Sequence, residues 1–464
     1  MPPSETWGST AVGEHPSRQP GRIIASSNWM LPLWLAGLVL IPWALPLNLL
    51  LMGSPFVAWK QAYALLLLIV SFAWIVRTDD RAAPLLGPVP VALAAHLSLL
   101  LLLCAASVWI GGIGPRRAAY AALAYGGFAS FAVLPALAIG RDRLFAVLCL
   151  IAVVSVGCGA GLIADYALDL SGSMYLEAGG DPDIAPFAVG DITFRRAMFP
   201  FDSPSTGYGF LSLGILACQL IYLHATRHHH RMLALVGIAI IYLGGLATLT
   251  RAIWLLQSLW ILLVCTQILR AGERRAVSMS LVVGVAVALI VAAVLASGDH
   301  ALVISDRIEN AFSSADEGND IRLHLWGKGV AMLLGPDDTV VLGHGLGATL
   351  EMFAEGGPVS THFESSFFQA YYEGGLAGLA LRYWPFALGL ASLLAAGRLR
   401  HAASSRLLAF WLVTYFAATA IAPTAGSYSG QIALYFVMGC CVAARRFEQV
   451  LAATTDRPAG RGQG

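Results

Sequence analysis

Charge is what this sequence has least of. Only 12% of its 464 residues are Asp, Glu, Lys or Arg, about half the share of an average soluble domain. That scarcity excludes a soluble globular chain. The net charge is +1, so the basic footprint of a nucleic-acid binder is lacking as well. Cysteine motifs are also missing. Cys104, Cys149, Cys158, Cys218, Cys265, Cys440 and Cys441 all fall in apolar segments, with no C-x-x-C spacing. They read as small buried hydrophobes rather than metal or redox pairs.

What the chain has instead is apolar length: 58% of its residues are hydrophobic, in long blocks of the kind that cross membranes. The expected fold class is all-α, a polytopic integral membrane protein with about 12 transmembrane helices. The spans are read at 29–52, 56–76, 88–112, 118–139, 144–168, 204–224, 232–249, 252–270, 276–297, 375–397, 406–422 and 430–444. Residues 1–28 are polar and rich in Pro, Gly and Ser, and are expected to be a disordered cytoplasmic segment. The first apolar run, Trp29 to Met52, lacks an A-x-A cleavage site and reads as a span rather than a signal peptide. The organisation expected is a transmembrane bundle over 29–297, with an outer loop at 169–203. Next come a large loop at 298–374 containing short helices, three spans over 375–446 and a cytoplasmic tail, 447–464.

Basic residues orient the bundle. With the N-terminus in the cytoplasm, most of the 28 Lys and Arg fall in short inner loops, as the positive-inside rule requires. Both termini are then cytoplasmic and both long loops lie outside, on the periplasmic face of a bacterial inner membrane. A small set of cations remains on that outer side: Arg116, Arg117, Arg195, Arg196, Arg251, Arg307, Arg322 and Lys328. Arg382 sits about two turns inside a later span. Arginine near the membrane is costly and marks function, and guanidinium groups bind phosphate bidentately. Arg251, Arg196, Arg195 and Arg322 together read as a diphosphate clamp.

The large loop ends in STHFESSFFQAYYEGGLAGLA. His362 and Glu364 lie two residues apart, and either is a candidate general base. SSFFQAYY reads as an amphipathic helix with Ser365, Gln369 and Glu373 on related faces. Gly374, Gly375 and Gly378 allow close backbone approach as the next span opens. The RHHHR run at Arg227–Arg231 lies in an inner loop and reads as a lipid-surface anchor rather than a metal site. Asp181/Asp183 and Asp337/Asp338 face outside, where no nucleotide sugar is expected, so no metal site is read from them. Trp29, Trp74 and Trp384 fit interfacial anchoring.

Four segments, in order, resemble the O-antigen ligase and Wzy-type polymerase superfamily. RAIWL (Arg251–Leu255) matches its R-x-x-x-L signature. FRRAMFPFDSPSTGYGFLSL resembles its loop-to-span segment. DIRLHLWGKGVAMLLGPDDTVVLGHGLG resembles its R…W…P…G-x-G segment, through Arg322, Trp326, Pro336, Gly343, Gly345 and Gly347. The loop end resembles H-[NSQ]-x9-G-x-x-[GTY], with Gly375 and Gly378 on the glycine positions and Ser365 on the second position. The first position, histidine in the family's ligases, is Glu364 here, and His362 lies two residues upstream.

The resemblance implies a GT-C-like architecture and a metal-independent glycosyltransferase without a cofactor. The implied donor is an undecaprenyl-diphosphate-linked glycan. The acceptor is either another lipid-linked glycan, for a polymerase, or lipid A core, for an O-antigen ligase. Membrane lipids and a chain-length regulator are implied partners. Arg251, Arg196, Arg195 and Arg322 would bind the diphosphate, Glu364 or His362 would take the acceptor proton, and Arg382, Glu373, Trp326 and Gln369 would support the site. Loss of the ligase-type histidine favours a polymerase, for exopolysaccharide or O-antigen. A transporter with about twelve spans is the reading from a different class. The spans carry few charges near their centres, which argues against it.

Overall fold

The computed structural model describes residues 30–40, 88–122, 141–171, 186–189, 192–201, 207–270, 317–335, 340–354, 357–361, 365–395, 402–422 and 428–444, with single positions such as Tyr63, Tyr125 and Phe363 between them. In chain order the elements are α1 (Met30–Leu40), α2 (Val89–Trp109), α3 (Pro115–Ala122), α4 (Arg141–Leu168), β1 (Pro186–Val189), β2 (Ile192–Arg195), α5 (Tyr208–His224), α6 (His228–Ala247), α7 (Arg251–Arg270), α8 (Glu317–Leu334), β3 (Leu350–Ala354), β4 (Gly357–Thr361), α9 (Ser366–Ala395), α10 (Ala403–Ile421) and α11 (Tyr428–Val442).

Among the described residues, α2, α6, α9, α10 and the Leu144–Leu168 part of α4 are five helices long and apolar enough to cross a membrane. The apolar helix α5 and the apolar parts of α7 and α11 are shorter. These elements fall on the expected spans 88–112, 144–168, 204–224, 232–249, 252–270, 375–397, 406–422 and 430–444. The span 276–297, most of 56–76 and of 118–139, the terminal segments 1–28 and 447–464, and the candidate bases His362 and Glu364 lie outside the described residues. Helix dominates, as the all-α reading expected. That reading did not include two small antiparallel hairpins, β1–β2 within 169–203 and β3–β4 within 298–374.

The core sits around α5. Every residue from Tyr208 to Tyr222 is buried, as befits a helix that is apolar on all sides and enclosed by others. It packs against α4, α6, α10 and α11. Helices α4 and α6 cross closely because both are glycine there: a Cβ on Gly244 would stand 2.6 Å from Gly159 Cα. Small residues at a crossing let backbones approach, the main source of attraction between helices in lipid. Outward faces stay apolar: Leu101 and Leu102 of α2 are exposed by 71% and 66%, as a lipid-facing surface requires.

Contacts between helix ends show which of them share a side. Ser366 N–H, opening α9, donates to Ala422 O just past α10. Gly209 near the start of α5 meets Gly430 near the start of α11. Ala197 N–H donates to Ala247 O at the end of α6. At the opposite end, His224 of α5 hydrogen-bonds Ser404 of α10 at 2.9 Å, and Arg231 Nε donates to Ala225 O. The segments before α5, α7 and α9 therefore gather at one end of the bundle.

Helix α9 is broken. At Gly375 the backbone turns to φ 58°, ψ −145°, a region open essentially to glycine alone. A break exposes peptide groups that must find partners in an apolar setting. The Val340–Gly345 segment supplies them: Leu376 and Ala377 N–H donate to Val340 and Val341 O, and His344 and Gly345 N–H donate to Tyr372 and Glu373 O. The approach is so close that a Cβ on Gly343 would stand 2.6 Å from the backbone of Glu373 and Gly374.

Candidate active site

The first part of the site is the junction where α4, α6 and α7 end or begin. Strand β2 ends at Arg195, in register with Pro186 of β1, and the chain continues through half-buried Arg196. Asp165, 3% exposed near the end of α4, fixes the path of the chain beyond Arg196. Its Oδ2 accepts Met198 N–H (2.8 Å) and Phe199 N–H (3.0 Å), and its Oδ1 accepts Ser171 N–H (2.6 Å). With Ala197 tied to Ala247, Arg196 is held beside the α6–α7 turn. There Thr248 Oγ1 donates to Gly245 O, Thr250 O accepts from Ile253 and Trp254 N–H, and Trp254 Nε1 donates to Leu246 O. Arg251, half-buried, opens α7 from this turn. Arg196 and Arg251, far apart in sequence, thus sit at one corner, with Arg195 immediately before Arg196 in the chain.

The second part is the end of the large loop. The register Leu350↔Thr361 closes the β3–β4 hairpin directly before His362. Its base is pinned from two sides. Arg117 Nη2 of α3 donates to Thr349 Oγ1 at 2.9 Å, and Tyr372 Oη of α9 donates to Thr349 O at 3.3 Å. Just before it, Ser107 of α2 accepts Leu346 N–H at 2.6 Å. Beyond the hairpin, Phe363 N–H donates to Gln369 Oε1 (2.7 Å). Gln369 Nε2 donates to Glu373 Oε1 (2.8 Å), and Tyr125 Oη donates to Glu373 Oε2 (2.6 Å). The Arg382 guanidinium carbon lies 4.1 Å from the centre of the Tyr125 ring, a cation–π contact. Three of the expected supporting residues, half-buried Gln369 and buried Glu373 and Arg382, therefore form one chain of contacts.

Arg322 and Trp326 sit on α8, both half-buried. This helix packs on α9, where Gly329 leaves room for the ring of Phe368, the residue before Gln369.

Residues 233–383 match the O-antigen ligase family. No curated protein matches the chain. The matched stretch runs from α6 into α9. It contains Arg251, Arg322, Trp326, the Gly343–Gly347 loop, His362, Glu364, Gln369, Glu373 and Arg382, while Arg195 and Arg196 precede it. The O-antigen ligase match bears out the resemblance read from the sequence. It supports an O-antigen ligase or polymerase type of membrane enzyme, and that family implies lipid-linked glycan substrates.

Sequence reasoning missed Asp165, Ser107 and Tyr125. Asp165 carried a readable signal, as an acidic residue inside an apolar run. Ser107 and Tyr125 carried none, because their partners lie 239 and 248 residues away. One assignment is corrected. Trp384 is no interfacial anchor: it sits mid-way along α9, where its Nε1 donates to buried His96 Nδ1 at 2.9 Å and its ring packs on Tyr435. A buried indole N–H seeks a partner, and His96 provides one inside the bundle.

Proposed function

We propose that the chain is a Wzy-type polysaccharide polymerase of about 12 spans and GT-C-like architecture in a bacterial inner membrane. It joins repeat units carried on undecaprenyl diphosphate at the periplasmic face. A hydroxyl of the acceptor glycan attacks the anomeric carbon of the donor. The bond from that carbon to the diphosphate oxygen breaks, and the hydroxyl proton passes to Glu364 or His362. The lipid diphosphate leaves with added negative charge, which Arg251 and Arg196, with Arg195 and Arg322, stabilise. Preplaced cations near developing charge are worth most in a site shielded from water. No metal or cofactor is needed for this balance.

The observation that carries the reading is the corner shared by Arg196 and Arg251, at the bundle end where α9 also begins, within or beside the O-antigen ligase match. Similarity to O-antigen ligases favours a second reading, a ligase moving the glycan onto lipid A core. The two separate in a deletion strain. Loss of a polymerase leaves single repeats, whereas loss of a ligase leaves full-length unattached polymer. Arg251→Ala should lower polymer synthesis about 10²–10³-fold, the usual cost of one such group; full synthesis by Arg251→Ala would refute the clamp. Glu364→Gln and His362→Ala, made separately, identify the base, and two active variants would remove both from that role.

A further inference from the structure

We propose that Gln369 and Glu373 are a positioning pair, anchored by Tyr125, that fixes the Phe363 peptide at the point of the chain that separates the two candidate bases, His362 and Glu364. The consequence for catalysis rests on the polymerase reading; the hydrogen-bond chain does not.

The chain has a single polarity. A carboxylate only accepts, so the Gln369 group facing Glu373 must be the amide NH2. That fixes its oxygen toward Phe363 N–H. Glu373 takes a second donor, Tyr125 Oη, on its other oxygen, and the Tyr125 ring carries Arg382 on its face. Glu373 and Arg382 are 6% and 8% exposed, so both groups meet the same tyrosine in a poorly screened interior. Gln369 and Glu373 are four apart on α9 and therefore neighbours on one face. The Gly343–Gly375 contact holds the same half-helix from behind.

The Phe363 ring, 2% exposed, packs against Phe368 and Tyr372. Ring packing places the residue but leaves its peptide plane free to turn. The bond to Gln369 removes that freedom. Freeing that peptide would loosen the chain next to the candidate bases without unfolding α9, so loss of Gln369 should lower turnover more than substrate binding.

The test uses the full-length protein in lipid nanodiscs, with hydrogen–deuterium exchange read alongside glycan transfer from a lipid-diphosphate oligosaccharide. Gln369→Leu should speed exchange at the Phe363 amide at least about tenfold and lower kcat about 10–100-fold, the range for losing a bond within a charged network. KM should hold within a few-fold and the α9 amides beyond Gly375 should stay protected. Gln369→Glu should do the same, because two carboxylates then abut. The double variant Gln369→Glu/Glu373→Gln reverses the polarity of the pair while keeping each of these bonds: Glu at 369 accepts from Phe363 N–H and from the new amide, whose oxygen accepts from Tyr125. It should recover most of both losses. Tyr125→Phe, which keeps the ring on Arg382, should give a weaker version of the Gln369→Leu effect. Unchanged Phe363 exchange in Gln369→Leu, or a swap no better than Gln369→Glu, would overturn the proposal. If exchange responds as stated but the wild type transfers no glycan, the positioning pair stands and the enzyme reading falls.

Discussion

Replacing Asp165 with alanine removes the acceptor for three backbone donors at once, buried Ser171 and Met198 N–H and half-buried Phe199 N–H. Each orphaned buried donor costs about 1–3 kcal/mol. With partial rescue by water, the total is on the order of 3–6 kcal/mol. Asparagine keeps one oxygen. Turned toward Met198 and Phe199 it preserves two bonds and sets its NH2 against Ser171 N–H, so Asp165→Asn should cost about 1–3 kcal/mol. The damage should be local as well as global, because Met198 lies two residues after Arg196 and the bond from Ala197 to Ala247 is part of the same tether. Thermal unfolding in nanodiscs, monitored by tryptophan fluorescence, gives the ranking: wild type above Asp165→Asn above Asp165→Ala. Hydrogen exchange at Met198 and Phe199 should accelerate in the same order, together with falling glycan transfer. An Asp165→Ala protein with wild-type melting and unchanged exchange at these amides would refute the tether.

Two further substitutions test the helix geometry. Gly375→Ala forces a Cβ into a left-handed conformation that costs about 1–3 kcal/mol and drives it into the Val340 and Val341 backbone; the melting temperature and folded yield should both fall sharply. Gly327→Ala, at an exposed position of α8 with open space around the new methyl, should instead stabilise by about 0.5–1 kcal/mol, seen as a small rise in melting temperature.

Much of this was legible in the chain. Long apolar runs announce helices that must satisfy their own backbone in lipid, and eight expected spans fall on helices. The outer arginines stood out because that side is otherwise depleted of them. Spacing alone placed Gln369 and Glu373 on one face, and glycine clustering pointed to Gly375, where α9 breaks. The hairpins were readable in hindsight: Gly190–Asp191 and Glu355–Gly356 separate their paired strand ends, a turn composition, but the apolar pattern around them was too short to compete with helix. What the sequence hid is long-range. Nothing in the neighbourhood of Tyr125 says that its hydroxyl meets Glu373, and nothing near Ser107 points to the Leu346 amide. Such partners are chosen by packing of α2, α3 and α9, not by local pattern.

In the proposed reaction the arginine corner stabilises a departing lipid diphosphate. The most direct measurement is release of lipid diphosphate by the purified protein in nanodiscs, given a lipid-diphosphate oligosaccharide donor and a second such oligosaccharide as acceptor. Release should be matched one for one by formation of a longer lipid-linked glycan, with Arg251→Ala lowering the rate about 10²-fold or more at saturating donor. Absence of release from the wild type, or release by Arg251→Ala at the wild-type rate, would contradict it.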